Sequence, residues 1–345
     1  MTATGARPTN PPAHEVLDWG RQLVTPALRT AVDTLPEDMR HIAGYHFGWW
    51  DEHGRSTQAS GGKALRATLV FLTAEAVGGS APSALPAAAA VELVHNFSLL
   101  HDDVIDHDAT RRHRPTAWSV FGTSAAILAG DALVSLASDV LAESTHPAGL
   151  RGIRMLNSAI QVLIEGQITD IAFEQRTDVD LHECQRMAQA KTGTLLGAAC
   201  ELGVLFGGGT SGQAQHLRTY GENLGLAFQH VDDLLGIWGD PEVTGKPAYS
   251  DLHGRKKTLP IVAALKSRTP AGNELAARYQ RDEPLAQAEL IEVAELVDTA
   301  GGRVWSQGQA DQLLAEAQRH LHAARLVART TELEALAHLV TRRDH

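Results

Sequence analysis

Residues 92–116 read ELVHNFSLLHDDVIDHDATRRHRPT. The first half is an apolar helical pattern (Leu93, Val94, Phe97, Leu99, Leu100) that ends in Asp102, Asp103 and Asp106, and Arg111, Arg112 and Arg114 follow at once. At 3.6 residues per turn, Asp102 and Asp106 share a face and Asp103 sits about 100° round from them. Glu92 and His95 fall on the same stripe, and a polar stripe on an apolar helix faces a cavity or solvent. Carboxylates this close repel one another, and they oppose the helix macrodipole, which favours cations at a C-terminus. Something positive should compensate them. Mg2+ suits the role, because it takes a few carboxylates and fills its other sites with water and phosphate oxygens. A lone Asp-Asp pair is more often a solvated helix end, but here the pattern occurs twice.

The second copy lies in residues 228–260, FQHVDDLLGIWGDPEVTGKPAYSDLHGRKKTLP. An apolar helix bearing Leu224, Leu226, Phe228 and Val231 reaches Asp232 and Asp233, and a loop with Lys246, Lys256 and Lys257 follows. The two Asp-Asp pairs are 130 residues apart in the chain. Brought face to face in a helical bundle, neither would be stable without cations between them. A diphosphate bridged to both by metal ions, with lysines and arginines holding the rest of its charge, completes the balance. This is chemistry for making a diphosphate leave.

The formal charge of −11 makes a nucleic-acid partner a poor match, since phosphate backbones need a basic surface. Any bound phosphate must sit in a local pocket. The only cysteines, Cys184 and Cys200, form neither a CxxC motif nor a zinc set, which points to inert thiols in a reducing, cytoplasmic setting. The N-terminus has no apolar signal-peptide core, and charges interrupt the apolar runs, so neither secretion nor a membrane span is expected. His101, His107 and His113 flank the acidic cluster. Imidazole suits zinc, copper or iron better than magnesium, so hydrogen-bonding or structural roles are expected for these three.

Residues 1–14 read as a disordered Pro/Thr/Ala tail, and 15–345 as one domain. Helical patterns run over 15–35, 64–77, the central helix, 117–144, 153–174, 180–206, 212–238, 258–268, 283–299, 303–327 and 331–342. Segment 117–144 is apolar nearly all round, which predicts a buried helix. Gly207–Thr210 and Thr269–Gly272 read as loops. No stretch shows sustained period-two alternation, so almost no sheet is expected. The fold class is therefore all-α, a single large helical bundle around a central cavity.

Five landmarks occur in a specific order. They are Gly61-Gly62-Lys63-Ala64-Leu65-Arg66, Asp102-Asp103-Val104-Ile105-Asp106 with Arg111-Arg112, Gly166-Gln167 with Asp170, Lys191-Thr192, and Asp232-Asp233 with Gly245-Lys246 and Asp251. With these, roughly residues 15–340 resemble the trans-isoprenyl diphosphate synthases, which condense isopentenyl diphosphate with an allylic diphosphate on the isoprenoid synthase fold. The resemblance implies that Asp102 and Asp106 ligate two Mg2+ ions and Asp232 a third, with Asp103 and Asp233 in support. Arg111, Lys191 and Lys246 would hold the allylic diphosphate. Lys63, Arg66, His95 and Arg112 would hold isopentenyl diphosphate, which binds without metal. Thr192 and Gln229 would turn oxygens toward the nascent allylic cation, and Lys256 sits at a closing-loop position. The resemblance also implies a homodimer.

The chain departs from the family pattern at three places. Gly236 stands where a third aspartate is usual in the second motif, which removes a carboxylate from the metal shell but is expected to leave activity. His113 follows the arginine pair in place of glycine, and Ala67 replaces a proline after Arg66. Product length should follow tunnel depth. Phe97 lies five residues before Asp102, about 7.5 Å down the helix, and Ser98 beside it is small. In the resembling family a single large residue there goes with twenty-carbon products, so geranylgeranyl diphosphate is expected. Two rivals remain at this stage. A class I terpene cyclase shares the first motif but would carry an Asn/Ser/Glu second site and lack the Lys63/Arg66 pair. A non-catalytic regulatory subunit would have lost its acidic motifs.

Overall fold

The computed structural model describes residues 12–57, 62–241, 248–281 and 285–341. In chain order the helices are α1 (Ala13–Val32), α2 (Glu37–His46), α3 (Leu65–Ala76) and α4 (Ala81–Ile105). A two-residue hairpin of β1 (Thr110–Arg111) and β2 (Arg114–Pro115) follows, then α5 (Ala117–Phe121), α6 (Thr123–Glu143), α7 (Gly149–Glu174) and α8 (Leu181–Ala188). A π-helical turn, Gln189–Gly193, joins α8 to α9 (Thr194–Phe206). The rest comprises α10 (Ser211–Trp238), α11 (Ser250–His253), α12 (Leu259–Leu265), α13 (Pro270–Tyr279), α14 (Gln287–Thr299), α15 (Gly302–Ala323) and α16 (Thr330–Thr341). The hairpin is the only sheet among the described residues, so the all-α expectation holds.

The central element is α4. Ser80 caps it by accepting from the Ser83 N–H, and Ala87–Ala90 are all at most 1% exposed. These small side chains let α3, α6 and α9 pack closely around it. Leu93, Leu100, Leu133, Leu141 and Leu156 fill the resulting core, each stabilising the fold by about 1.5–3 kcal/mol through burial. On its other side α9 packs against α10, and α10 against α15 and α16. The helices that carry the two acidic clusters thus flank one shared neighbour, α9. A capping box at Thr210 and Gln213 fixes where α10 begins.

Several sequence expectations need correction. Segment 117–144 is two helices, because Gly122 adopts φ +88°, a left-handed value that ends α5 and starts α6. Nor is α6 buried all round. Ile127 and Leu128 face outward, as do Ile164, Ile168 and Ile171 on α7. The loop expected at Thr269–Gly272 is the start of α13, with the Thr269 hydroxyl accepting from the Gly272 N–H and Pro270 in the first turn. The expected tail falls largely outside the described residues, but Ala13 and His14 already belong to α1. By length and composition α4 and α6 could each cross a membrane, yet 67% of the apolar window of α4 is buried in the bundle.

Candidate active site

The first acidic cluster forms the last turn of α4. The Asp106 N–H donates to the Asp102 carbonyl at 2.8 Å, which keeps these two residues one above the other. Asp102 is partly buried. Burial raises its pKa, the Lys191 ammonium nearby lowers it, and Asp106 raises it again. Asp103 points the other way, with a side chain only 2% exposed, and accepts from Arg111 Nε at 2.6 Å. Burial pushes Asp103 up to about 6 despite this partner. Asp103 therefore acts as a bracket for Arg111.

The hairpin after the helix aims the arginines. Arg112 and His113 occupy its two-residue turn with φ +52° and +60°. Turns of this kind need positive φ at both central residues and normally recruit Asn-Gly. A glycine is therefore the natural occupant of position 113, and His113 carries the strain instead. Position 67 differs in kind: Ala67 lies in the first turn of α3, where the helix itself tolerates proline, and its N–H hydrogen-bonds the buried Glu92, a bond that proline would forgo. The Arg112 guanidinium folds against Gly62, where an added Cβ would stand 2.5 Å from its Nη2.

The second cluster sits near the end of α10. Asp233 is 6% exposed and doubly held, by Gln229 Nε2 at 2.7 Å and the Leu259 N–H at 2.9 Å. Burial, and then Asp251 and Asp232, raise its pKa well above the carboxylate range. Asp232 is exposed. Gln229 spends its amide oxygen on the Thr192 hydroxyl at 2.6 Å, so Thr192, Gln229 and Asp233 form one directed chain of hydrogen bonds.

Lys191 and Thr192 ride on the π-helical turn, a distortion often found at functional positions. Two glycines permit it. A Cβ at Gly166 would stand 2.7 Å from the Lys191 nitrogen, and one at Gly225 would stand 2.7 Å from Gly193 Cα. Lys191 Nζ donates to Asp170 Oδ2 at 2.8 Å. Burial disfavours its charge, but Asp102 and Asp170 outweigh this and raise its pKa. Lys256, from the tail of the second motif, donates to Asp106 Oδ2 at 2.8 Å and also lies in the field of Asp251 and Lys191. One ammonium thus reaches from the tail of the second motif into the space beside Asp106 and Lys191.

A basic corner adjoins this space. Arg66, Arg112 and the buried Glu92 face one another. Burial lowers Arg66 to about 10, with Glu92 opposing the shift. His95 is held neutral by burial and by Arg66 and Arg112, while Lys63 lies exposed at the rim. Two further residues here were not read from the sequence. His46 on α2 lines a small cleft with Arg111, Arg112 and Arg114, and burial beside these arginines lowers its pKa to about 3. Asn96, one residue past His95, is fully buried and donates to the Glu92 carbonyl. Neither belongs to a motif; the one readable signal was the place of Asn96 on the stripe-bearing helix. Phe97 is 6% exposed and packs edge-on against His101 at 4.8 Å, and the Ser98 hydroxyl turns back to the His95 carbonyl. Lys246, with Gly61 and Gly245, lies outside the described residues.

A polyprenyl synthetase family model matches residues 48–297. The chain belongs to the polyprenyl synthetase family. As a member, it is 47% identical over 341 residues to a (2E,6E)-farnesyl diphosphate synthase of Mycobacterium tuberculosis, covering 95% of this chain and 93% of the relative. It is 44% identical over 330 residues to a geranylgeranyl diphosphate synthase of the same organism, with the same coverages. Its fold is similar to the crystal structure of a polyprenyl synthetase from Streptomyces coelicolor A3(2), with TM-score 0.90, 44% identity, and 95% and 99% of the two chains covered. This family member is a trans-prenyltransferase.

The family uses Mg2+ to ionise diphosphates. Among the described residues no three His, Cys, Asp or Glu side chains make a ready-built metal cage. The donor set nonetheless fits Mg2+, which ordinarily takes one or two carboxylates and completes its shell with substrate phosphates and water. Lys191 and Lys256 meanwhile lie against the acidic groups as cations.

Proposed function

We propose that this prenyltransferase joins isopentenyl diphosphate to an allylic diphosphate (dimethylallyl, geranyl or farnesyl) and delivers geranylgeranyl diphosphate, in one domain spanning 15–345. The observation that carries the reading is the ion pair of Lys256 with Asp106, because it joins the tail of the second motif to the end of the first. Asp102 and Asp106 on one side and Asp232 on the other would hold three Mg2+ ions. When bound, these supply Lewis-acid stabilisation of the departing diphosphate. Arg111 held by Asp103, Lys191 held by Asp170, and Lys256 place fixed positive charge around the same group, where negative charge grows as the C–O bond breaks, and Lys246, outside the described residues, is assigned to it by the family pattern alone.

Lys63, Arg66, Arg112 and the neutral His95 hold the second substrate by its diphosphate. The Thr192 hydroxyl has committed its proton to Gln229 and so offers lone pairs to the allylic cation. The homoallylic double bond attacks that cation, and a new C–C bond forms. A proton then leaves the adjacent carbon for an oxygen of the released diphosphate, and its electrons make the new double bond. The apolar face of α4 keeps water from quenching the cation.

Relatives with fifteen- and twenty-carbon names stand at similar identity, so the chain-length reading rests on Phe97 as the tunnel floor with the small Ser98 beside it. The exposed Ile127, Leu128, Ile164, Ile168 and Ile171 support a homodimer that buries them, in a cytoplasmic enzyme. Incubation with isopentenyl and farnesyl diphosphates plus Mg2+ tests the reading. Diphosphate release with a twenty-carbon product is expected. A hydrocarbon formed from farnesyl diphosphate alone would indicate a cyclase, and silence until another subunit is added would indicate a regulator.

A further inference from the structure

The end of α2 is clamped to the arginine hairpin. Tyr45 Oη donates to the Pro115 carbonyl at 2.8 Å, Arg114 Nη1 donates to the Tyr45 carbonyl at 3.1 Å, and the Arg114 guanidinium lies over the Tyr45 ring at 4.4 Å. His46 is the next residue and the last of α2, so these contacts fix its ring beside Arg111 and Arg112. Yet His46 Nε2 is buried with no hydrogen-bond partner among the described residues. The Nε of Arg66, a donor in the same basic corner, is buried and unpaired in the same way. Buried polar groups left unpaired are costly, and they call for an occupant. Three guanidinium groups lie around the His46 ring, so the occupant that suits the place is an anion. Glu92, the carboxylate of this corner, is already set against Arg66 and Arg112.

We propose that His46 is a further binding residue for isopentenyl diphosphate, its Nε2–H donating to a diphosphate oxygen beside Arg112. The inference rests on the placing of that substrate in the basic corner given above. It explains why a histidine ends α2 at this point. Held neutral by burial and by the arginines, the imidazole adds a hydrogen bond to the anion without adding to the repulsion among the guanidinium groups before substrate arrives. A lysine or arginine there would bring a further buried charge.

The test compares His46→Gln with His46→Met in the full chain. The two replacements match in length, and only the glutamine amide can donate a hydrogen bond. In His46→Met the KM for isopentenyl diphosphate should rise about tenfold, the scale of one hydrogen bond to a charged group. The loss should fall on that KM, not on kcat or on the KM for the allylic substrate, and His46→Gln should recover most of it. Calorimetric titration with isopentenyl diphosphate in the absence of Mg2+ reads the same step directly. Circular dichroism on each variant checks folding. If neither variant folds, heteronuclear NMR of the histidine rings in the wild type decides the matter, since the His46 Nε2 resonance should move when isopentenyl diphosphate is added. A wild-type KM in His46→Met, equal losses in both variants, or an unmoved Nε2 resonance overturns the inference. A wild type that neither binds nor consumes isopentenyl diphosphate overturns the parent reading instead.

Discussion

The Lys256 ammonium donates to Asp106 Oδ2 at 2.8 Å across 150 residues of chain. The contact joins the tail of the second motif to the end of the first. Burial disfavours the charge on Lys256, and Asp106 and Asp251 outweigh it and raise its pKa. If this cation serves the leaving group, Lys256→Gln should lower kcat by about 100-fold, the scale for losing one preorganised charge-stabilising group. The KM for isopentenyl diphosphate should change little. Steady-state kinetics in both substrates check this; an unchanged kcat would remove Lys256 from the chemistry.

Phe97 is proposed as the floor of the hydrocarbon tunnel. Phe97→Ala should shift the product beyond twenty carbons, as read by chromatography of the dephosphorylated prenols. Truncating a fully packed phenylalanine costs about 3–5 kcal/mol. A smaller loss in thermal stability would independently mark open space beside the ring. Unchanged product length would make Phe97 an ordinary core residue.

His230 on α10 gives the fold a built-in acid sensitivity. It is 0% exposed and shares a 2.8 Å hydrogen bond with Ser306, and burial lowers its pKa from 6.5 to about 4. Between those values the unfolded chain takes up a proton that the native state refuses. Stability from this group is therefore complete above pH 6.5 and is lost as pH falls toward 4. At pH 5 the loss is about 2 kcal/mol. Denaturant unfolding at pH 7 and pH 5 should show the decline, and His230→Asn should make it shallower by about 2 kcal/mol, leaving the share due to the buried His46 and His95. An equally steep decline in the variant would place the sensitivity elsewhere.

His113 holds φ +60° in the turn of the arginine hairpin. His113→Gly should relieve the left-handed strain and stabilise the protein by about 1 kcal/mol. Chemical denaturation measures this, and a destabilised variant would show that the imidazole makes a contact worth more than the strain.

Much of this site was legible because its geometry is local. The Glu92, His95, Asp102 and Asp106 stripe follows from helical period alone, and the second cluster repeats the same signal. The π-helical turn at Lys191 was not legible. It adds a residue inside a long apolar segment without altering the composition that marks 180–206 as helical. The Arg112-His113 turn escaped notice because hairpins of its type usually carry Asn-Gly, and this one tolerates strain to aim two guanidinium groups. The start of α13 had a readable signal in Thr269-Pro270, which the nearby Gly272 obscured. The place of His46 beside the arginine hairpin is a tertiary relationship, and no window of sequence contains it. The outward apolar face of α6 is likewise a matter of which neighbours pack on it, which periodicity does not specify.

The central claim is that two opposed acidic clusters grip one diphosphate through shared divalent ions. A crystal structure of the protein with Mg2+ and a non-ionisable allylic thiolodiphosphate tests this most directly. The account predicts that ions bound to Asp102 and Asp106, and an ion bound to Asp232, all touch the same diphosphate, with Lys256 displaced from Asp106 onto its oxygens. A diphosphate held at one cluster alone, with Asp232 remote from any ion, would contradict it.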